Sequence, residues 1–450
     1  MLGSEYNWLI SLSRPAHGLP RVRVARTGLL TLGVALFCLL CVLLRAEPAQ
    51  LPLLREAAAA AKTGDNALAV AKLEAARTLR PDYPRVLYTL ARAYAAAGRP
   101  DDALAQLRVL ADMGLQFPIA RDEALASLRQ QKDFPVLAQS LAAGAVGPDA
   151  KDEAAWAVTD ADGILEGLAC HPATLEWYFG DVHNHCVWHR DVSSGTGRLK
   201  KFSVDADQLL GVFGLKIDEK RNVLWAATAA LPEMKGYAAA DRGRAALVEL
   251  DLATGRVRRA FPVPADGREH VLGDLLLAPD GGVFTSDSAA PVIWRLPPGG
   301  TRLEKWLEHT DFVSLQGMAF SADGRNLLIA DYANGLWRID VASRAVALSR
   351  APAHATLFGI DGIYAVPGGL VAVQNGVNPQ RILRLTLAAD GAVAGARVLK
   401  AGHPAMSDVT LGQVVNGRFH FIGNSGWSLY EDPLATPAPR TVTILNTAID

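Results

Sequence analysis

The sequence predicts an all-β six-bladed propeller, preceded by an N-terminal α-helical segment of tandem hairpin repeats and a single transmembrane helix. Three observations lead there. Residues 155–450 recur six times as a unit of short, alternating apolar and polar strands. Residues 50–142 are rich in alanine and leucine with helical periodicity. Residues 27–44 carry no charge at all. A chain of 450 residues has room for two or three domains, and 50% apolar with 20% charged residues is ordinary globular material. The net charge of −1 excludes a strongly basic nucleic-acid binder, which needs a surplus of Lys and Arg on some face.

The segment "TGLLTLGVALFCLLCVLL" at 27–44, at about 1.5 Å of rise per residue, nearly crosses a hydrocarbon core of roughly 30 Å. In the preceding tract, 1–26, Arg14, Arg21, Arg23 and Arg26 face one acidic residue, Glu5. That bias keeps 1–26 in the cytoplasm and exports everything after Arg45. The expected location is the inner (cytoplasmic) membrane, single-pass, with the propeller on the periplasmic side. A signal peptide is the rival reading, but "LLRAEPA" is a poor small-residue cleavage site. Cys38 and Cys41 lack the preceding small residue of a lipoprotein site. Cys170 and Cys186 are expected as free thiols, because another strand separates the two that carry them.

In the helical segment, Leu87, Leu90, Ala91, Tyr94, Ala103, Leu107 and Leu110 carry the spacing of a tetratricopeptide repeat. A shift back of about 34 positions finds Leu53, Ala57, Ala60, Ala69, Leu73 and Ala76, closing on Pro81. A degenerate unit, "RDEALASLRQQKDFPVLAQSL", reads as a terminal half-repeat. Such hairpins bury their apolar faces only by stacking. A spacer between membrane and head domain, or a groove for a protein partner, are both open at this point. Residues 143–154, within "AAGAVGPDAKDEAA", form a small-residue linker.

The propeller unit is clearest in "LQGMAFSADGRNLLIADYANGLWRID": a Gly-containing strand lining the channel, a tight turn, a second strand ending in Asp, Asn or Ser, then a strand rich in Trp, Arg and Leu. The turns "PDGG", "ADGR" and "PGG" use Asp and Gly because tight hairpins require positive φ. The last strand, "RTVTILNTAI", is expected to pair near the start of the domain and close the ring.

Four channel-lining strands begin with Glu166, Asp274, Gln316 and Asp361, and a ring places those starts at one mouth. Converging carboxylates repel one another unless a cation or protons compensate. Alternatively, these polar residues simply satisfy hydrogen bonds in a wet channel. The stretches "EGLACHP", "QGMAFSADGRNLLIADYANGLWR" and "DGIYAVPGGLVAV" resemble the senescence marker protein (regucalcin), gluconolactonase and paraoxonase group of six-bladed propellers. The resemblance runs over roughly residues 155–445. It implies a divalent cation (Ca, Mg or Zn) at the channel mouth and hydrolysis of a lactone or ester. Its ligand pattern falls on Glu166 and Asp361. Gln316 stands where the pattern has Asn, and Gly273-Asp274 stands where it has Asn-Asp.

The stretch "GDVHNHCVWH" places His183 and His185 in the loop between the second and third strands of the first blade, at the same mouth as Glu166. His189 lies farther along the third strand, toward the opposite end. His183 or His185 is expected as general base, since imidazole titrates near neutral pH. Asp287, Asp331, Asn375 and Asn424 end second strands and either line a pocket or cap turns. His403 and Asp408 are rim residues, and "AALPEMKGYAAADRGR" is a lid-length excursion. No nucleophile elbow, Walker loop or dinucleotide fingerprint occurs. The expected function is a membrane-anchored lactonase or esterase. The alternative is a non-catalytic propeller and repeat scaffold for protein or ligand binding.

Overall fold

The computed structural model describes residues 48–148, 155–190, 197–432 and 436–450. The expected anchor at 27–44, the tract 1–26 and the second half of the linker, 149–154, lie outside the described residues. Among those described, no helix is long and apolar enough to cross a membrane.

Two helical hairpins come first: α1 (Gln50–Lys62) with α2 (Asn66–Leu79), then α3 (Pro84–Ala96) with α4 (Pro100–Asp112). Asp65 caps α2 by accepting the Leu68 N–H at 3.0 Å, and Pro84 and Pro100 open their helices where no N–H is needed. Leu73, Ala76, Leu87, Leu90, Ala91, Ala103, Leu107 and Leu110 are buried together, as the repeat spacing requires. The degenerate unit becomes two 3-10 turns and α5 (Phe134–Ala143), which closes the stack.

Six four-stranded sheets follow. Blade one is β2 (Leu165–Cys170), β3 (Trp177–Asp181), β4 (Cys186–Arg190) and β5 (Leu199–Lys201). Blade two is β6 (Gly211–Asp218), β7 (Val223–Ala229), β8 (Ala245–Asp251) and β9 (Val257–Pro262). Blade three is β10 (Leu272–Leu277), β11 (Val283–Asp287), β12 (Val292–Leu296) and β13 (Glu304–Glu308). Blade four is β14 (Leu315–Phe320), β15 (Asn326–Asp331), β16 (Gly335–Asp340) and β17 (Val346–Leu348). Blade five is β18 (Ile360–Val366), β19 (Gly369–Gln374), β20 (Arg381–Leu387) and β21 (Val393–Ala401). Blade six combines β22 (Gly412–Val415), β23 (Arg418–Ile422) and β24 (Arg440–Ala448) with β1 (Trp156–Ala161) from the start of the domain. Val158 pairs with Val442, so the last strand closes the ring as its sequence predicts. The innermost strands touch in cyclic order, and the Thr410 hydroxyl donates to the Glu166 carbonyl across the closure.

A repeated clamp fixes three blades. Asp181, Asp287 and Asp331 end second strands, and each accepts the indole N–H of a third-strand tryptophan: Trp188, Trp294 and Trp337, at 2.9, 3.1 and 3.1 Å. Each also accepts backbone N–H groups leading into the innermost strand, from Ile164, Val271 and Ser314. Asp287 and Asp331 are therefore fully buried structural groups.

Blade five replaces the clamp. Gln374 takes the aspartate's place opposite Ile360, and its Oε1 accepts from Arg381 Nε at 2.7 Å. The Arg381 guanidinium then donates to the Met113 carbonyl of the helical array at 2.7 Å. Arg80 reaches the other way, to the Asn334 carbonyl at 2.7 Å. Tyr83 stacks on Phe358 with centroids 4.1 Å apart, and Val377 joins the helical core. The array thus docks on loops of blades four and five, on the rim of the mouth where Asp361 starts its strand.

Candidate functional site

The innermost strands of blades one to five each break register at one step: between Leu165 and Leu168, Val212 and Leu215, Leu272 and Leu275, Leu315 and Met318, and Ile360 and Ile363. Such bulges re-aim side chains. Glu166, Gln316 and Asp361 occupy the same position in that step, each followed by glycine. A Cβ on Gly167 would sit 1.9 Å from the Phe213 carbonyl oxygen, so the neighbouring strand approaches too closely for any side chain there. In blade three the order is reversed, Gly273 then Asp274. The carboxylate is moved one step along and fills the space left by Gly214.

Three carboxylates of this mouth are pushed upward in pKa. Burial raises Glu166 well above its ordinary value, Asp361, Asp408 and Asp274 add repulsion, and the Trp427 indole N–H, 2.6 Å from Oε2, opposes them. Burial raises Asp361 to about 6, opposed by the Asn375 amide donating to Oδ2 at 2.8 Å and reinforced by Asp274. Asp274 is raised by burial and held down by Lys216, whose Nζ lies 3.7 Å from Oδ1. Glu166 Oε1 and Asp361 Oδ1 receive no hydrogen bond from the described residues.

The remaining expected ligands are otherwise engaged. Gln316 donates from Nε2 to Ser314 Oγ at 3.1 Å and accepts from Ser288 Oγ at 3.3 Å. Asp274 is tied to Lys216 and to the Leu275 N–H at 2.8 Å, although its Oδ2 is buried without a partner. Among the described residues, no three His, Cys, Asp or Glu side chains stand together as a metal-ligand cluster.

The histidines sit at the rim. His183 Nδ1 is 2.6 Å from the Glu233 carbonyl, which fixes the proton on Nδ1 and leaves the Nε2 lone pair free. Its ring packs on Tyr430, centroids 4.2 Å apart, and Tyr430 lies in the same short segment as Trp427. His185 Nδ1 is 3.1 Å from the Leu209 carbonyl, between blades one and two. His189 pairs opposite Tyr178 and lies 3.5 Å from Glu176, away from the mouth. The His183 ring and the Glu166 carboxylate are bridged by the 427–430 segment, through Tyr430 and Trp427. The excursion of blade two packs on this loop, with the Lys235 N–H donating to the His183 carbonyl at 2.8 Å.

Two residues escaped sequence reasoning. Trp427 lies outside any strand, and its place over Glu166 depends on Asp408, which accepts the Gly426 and Ser428 N–H groups at 3.0 and 3.3 Å. Lys216 reads as an ordinary strand residue. Only its position two beyond the Gly214 step marks it as channel-lining. Asn375 turned out to serve Asp361, whereas Asn424 bonds the backbone of Thr441 and Thr443. His403 accepts the Ala405 N–H at 3.1 Å, and Cys170 and Cys186 are buried free thiols.

Residues 60–131 match the tetratricopeptide repeat family. No curated protein matches the chain. Among solved structures, it is similar to the PQQ-bound aldose sugar dehydrogenase of Streptomyces coelicolor, at 12% identity over 65% of this chain and 97% of that one, with a TM-score of 0.45. It is also similar to a streptogramin B lyase, at 16% identity over 66% and 87%, TM-score 0.42. A third is virginiamycin B lyase of Staphylococcus aureus, at 13% identity over 64% and 98%, TM-score 0.41.

Proposed function

We propose that the propeller hydrolyses a lactone or ester at its channel mouth with the help of a divalent cation, and that residues 27–44 anchor it to the inner membrane with the mouth on the periplasmic side. The observation that carries the reading is the pair Glu166 and Asp361. They occupy equivalent steps of the ring, both are raised in pKa, and each keeps one oxygen free of hydrogen bonds. Buried carboxylates without compensation are costly, and a hard cation relieves them. The donor chemistry fits a Ca²⁺ or Mg²⁺ ion held by two protein carboxylates, the rest of its coordination being left to water and substrate. Such an ion supplies Lewis-acid polarisation of the scissile carbonyl.

The chain's own groups have separate tasks. Glu166 and Asp361 would hold the cation, while Trp427 and Asn375 orient their carboxylates. His183, with its Nδ1 proton given to Glu233, would accept a proton from the attacking water at Nε2. Lys216 opposes the burial that raises Asp274 beside them. The test is hydrolysis of aliphatic and aromatic lactones by the purified chain with and without chelator. Chelator-sensitive turnover is expected, and absence of turnover on every lactone and ester with Mg²⁺, Ca²⁺ or Zn²⁺ present overturns the proposal.

One observation favours a second reading, a non-catalytic scaffold: Gln316 and Asp274 are already bonded within the protein. On that reading the mouth binds a ligand without turnover, and the docked helices recruit a protein partner.

A further inference from the structure

Between the helical array and the propeller lies a cavity of about 670 Å³, a size that holds a small organic molecule. Tyr83, Phe117 and Leu141 form its helical wall, and Phe358 and Val377 its propeller wall. Its backbone groups are largely spent: the Gln116 N–H donates to the Asn378 carbonyl, and the Phe117 N–H donates to the Leu141 carbonyl. Charge is one-sided. Arg85 and Arg121 line the cavity and no Asp or Glu does. Among the described residues neither guanidinium is in an ion pair.

An apolar chamber with two cations and no anion is complementary to one class of ligand. We propose that it binds an organic monoanion with an apolar body, its carboxylate on Arg85 and Arg121 and its body among Tyr83, Phe117 and Phe358. The site is separate from the channel mouth yet close to it. Gly376, in the cavity wall, follows Asn375, which donates to Asp361. A Cβ on Gly376 would meet the Gly359 Cα at 2.5 Å and the Tyr332 ring at 2.8 Å, so backbone and a ring, with no room for a side chain, form the partition.

The test is calorimetric titration of octanoate, octan-1-ol and octylammonium into the full chain. Saturable one-to-one octanoate binding is expected, with both comparison compounds weaker by about tenfold or more, as loss of a charge-assisted hydrogen bond implies. Arg121→Gln, at an exposed residue, should weaken octanoate by about tenfold and leave octanol unchanged. Ala138→Trp should fill the cavity and abolish binding. If that variant fails to fold, the Arg85→Gln/Arg121→Gln pair decides. Octylammonium binding as tightly as octanoate, no saturation at millimolar octanoate, or octanoate binding unmoved by the arginine substitutions each overturns the proposal.

Discussion

Asp361→Asn should stabilise the protein when no cation is present. In the fold Asp361 titrates at about 6 against an ordinary 3.8, so the fold favours the protonated acid. A carboxyl raised in this way contributes its full stability below the unfolded value. It loses that contribution as pH rises through the folded one. The gap corresponds to about 3 kcal/mol at neutral pH as a ceiling. Because Asp361 is only half-buried and Glu166 responds to it, about 1–3 kcal/mol is the working figure. Asparagine does not titrate and keeps an oxygen for the Asn375 amide. Denaturation of wild type and variant in excess chelator should therefore give similar midpoints near pH 4 and a growing advantage for the variant up to pH 7.5. A variant equal to or less stable than wild type at pH 7.5 refutes the idea that Asp361 is held there at a cost to the fold.

Other outcomes follow from the same structure. Asp287→Ala removes the partner of the buried His270, whose Nδ1 lies 2.6 Å away, and should cost about 3–5 kcal/mol in thermal or urea unfolding. His270 is raised in pKa: its own burial opposes this, but Asp287 and Asp266 outweigh it. The wild-type advantage over Asp287→Ala should therefore be complete below about pH 6.5 and fade as pH rises through the raised value. Arg381→Ala leaves the Met113 carbonyl and Gln374 Oε1 without a donor, and should cost about 3 kcal/mol while speeding proteolytic release of the helical array. His183→Ala should lower kcat on the best lactone by about 10²–10⁴-fold with little change in KM, whereas His189→Ala should leave both near wild type.

Much of the architecture is legible in the sequence because the repeats are periodic. The six Gly-containing strands announce the blades, and "RTVTILNTAI", paired on one side with Arg418–Ile422, meets the strand at Trp156 on the other and closes the ring. The helical spacing likewise names residues that prove buried, from Leu73 to Leu110. The site is harder to read because a bulge converts one residue of sequence into a different direction in space. Gly273-Asp274 looks like a member of the ring, yet its reversed order sends the carboxylate toward Lys216. Asp287 and Asp331 look like mouth residues, but tryptophans on the next strand of the same blade claim them. The docking of the helices depends on Gln374 and Arg381, ordinary strand residues whose significance appears only beside the aspartate clamps of other blades.

The central claim is that Glu166 and Asp361 form a cation site, and direct titration tests it most simply. Mg²⁺ or Ca²⁺ added to the chelator-treated full chain in detergent should bind at one ion per chain. Binding should release protons and strengthen as pH rises through about 6. It should be lost in Glu166→Gln and in Asp361→Asn and persist in Asp274→Asn. No binding of either cation, or binding that survives loss of both carboxylates, contradicts the account.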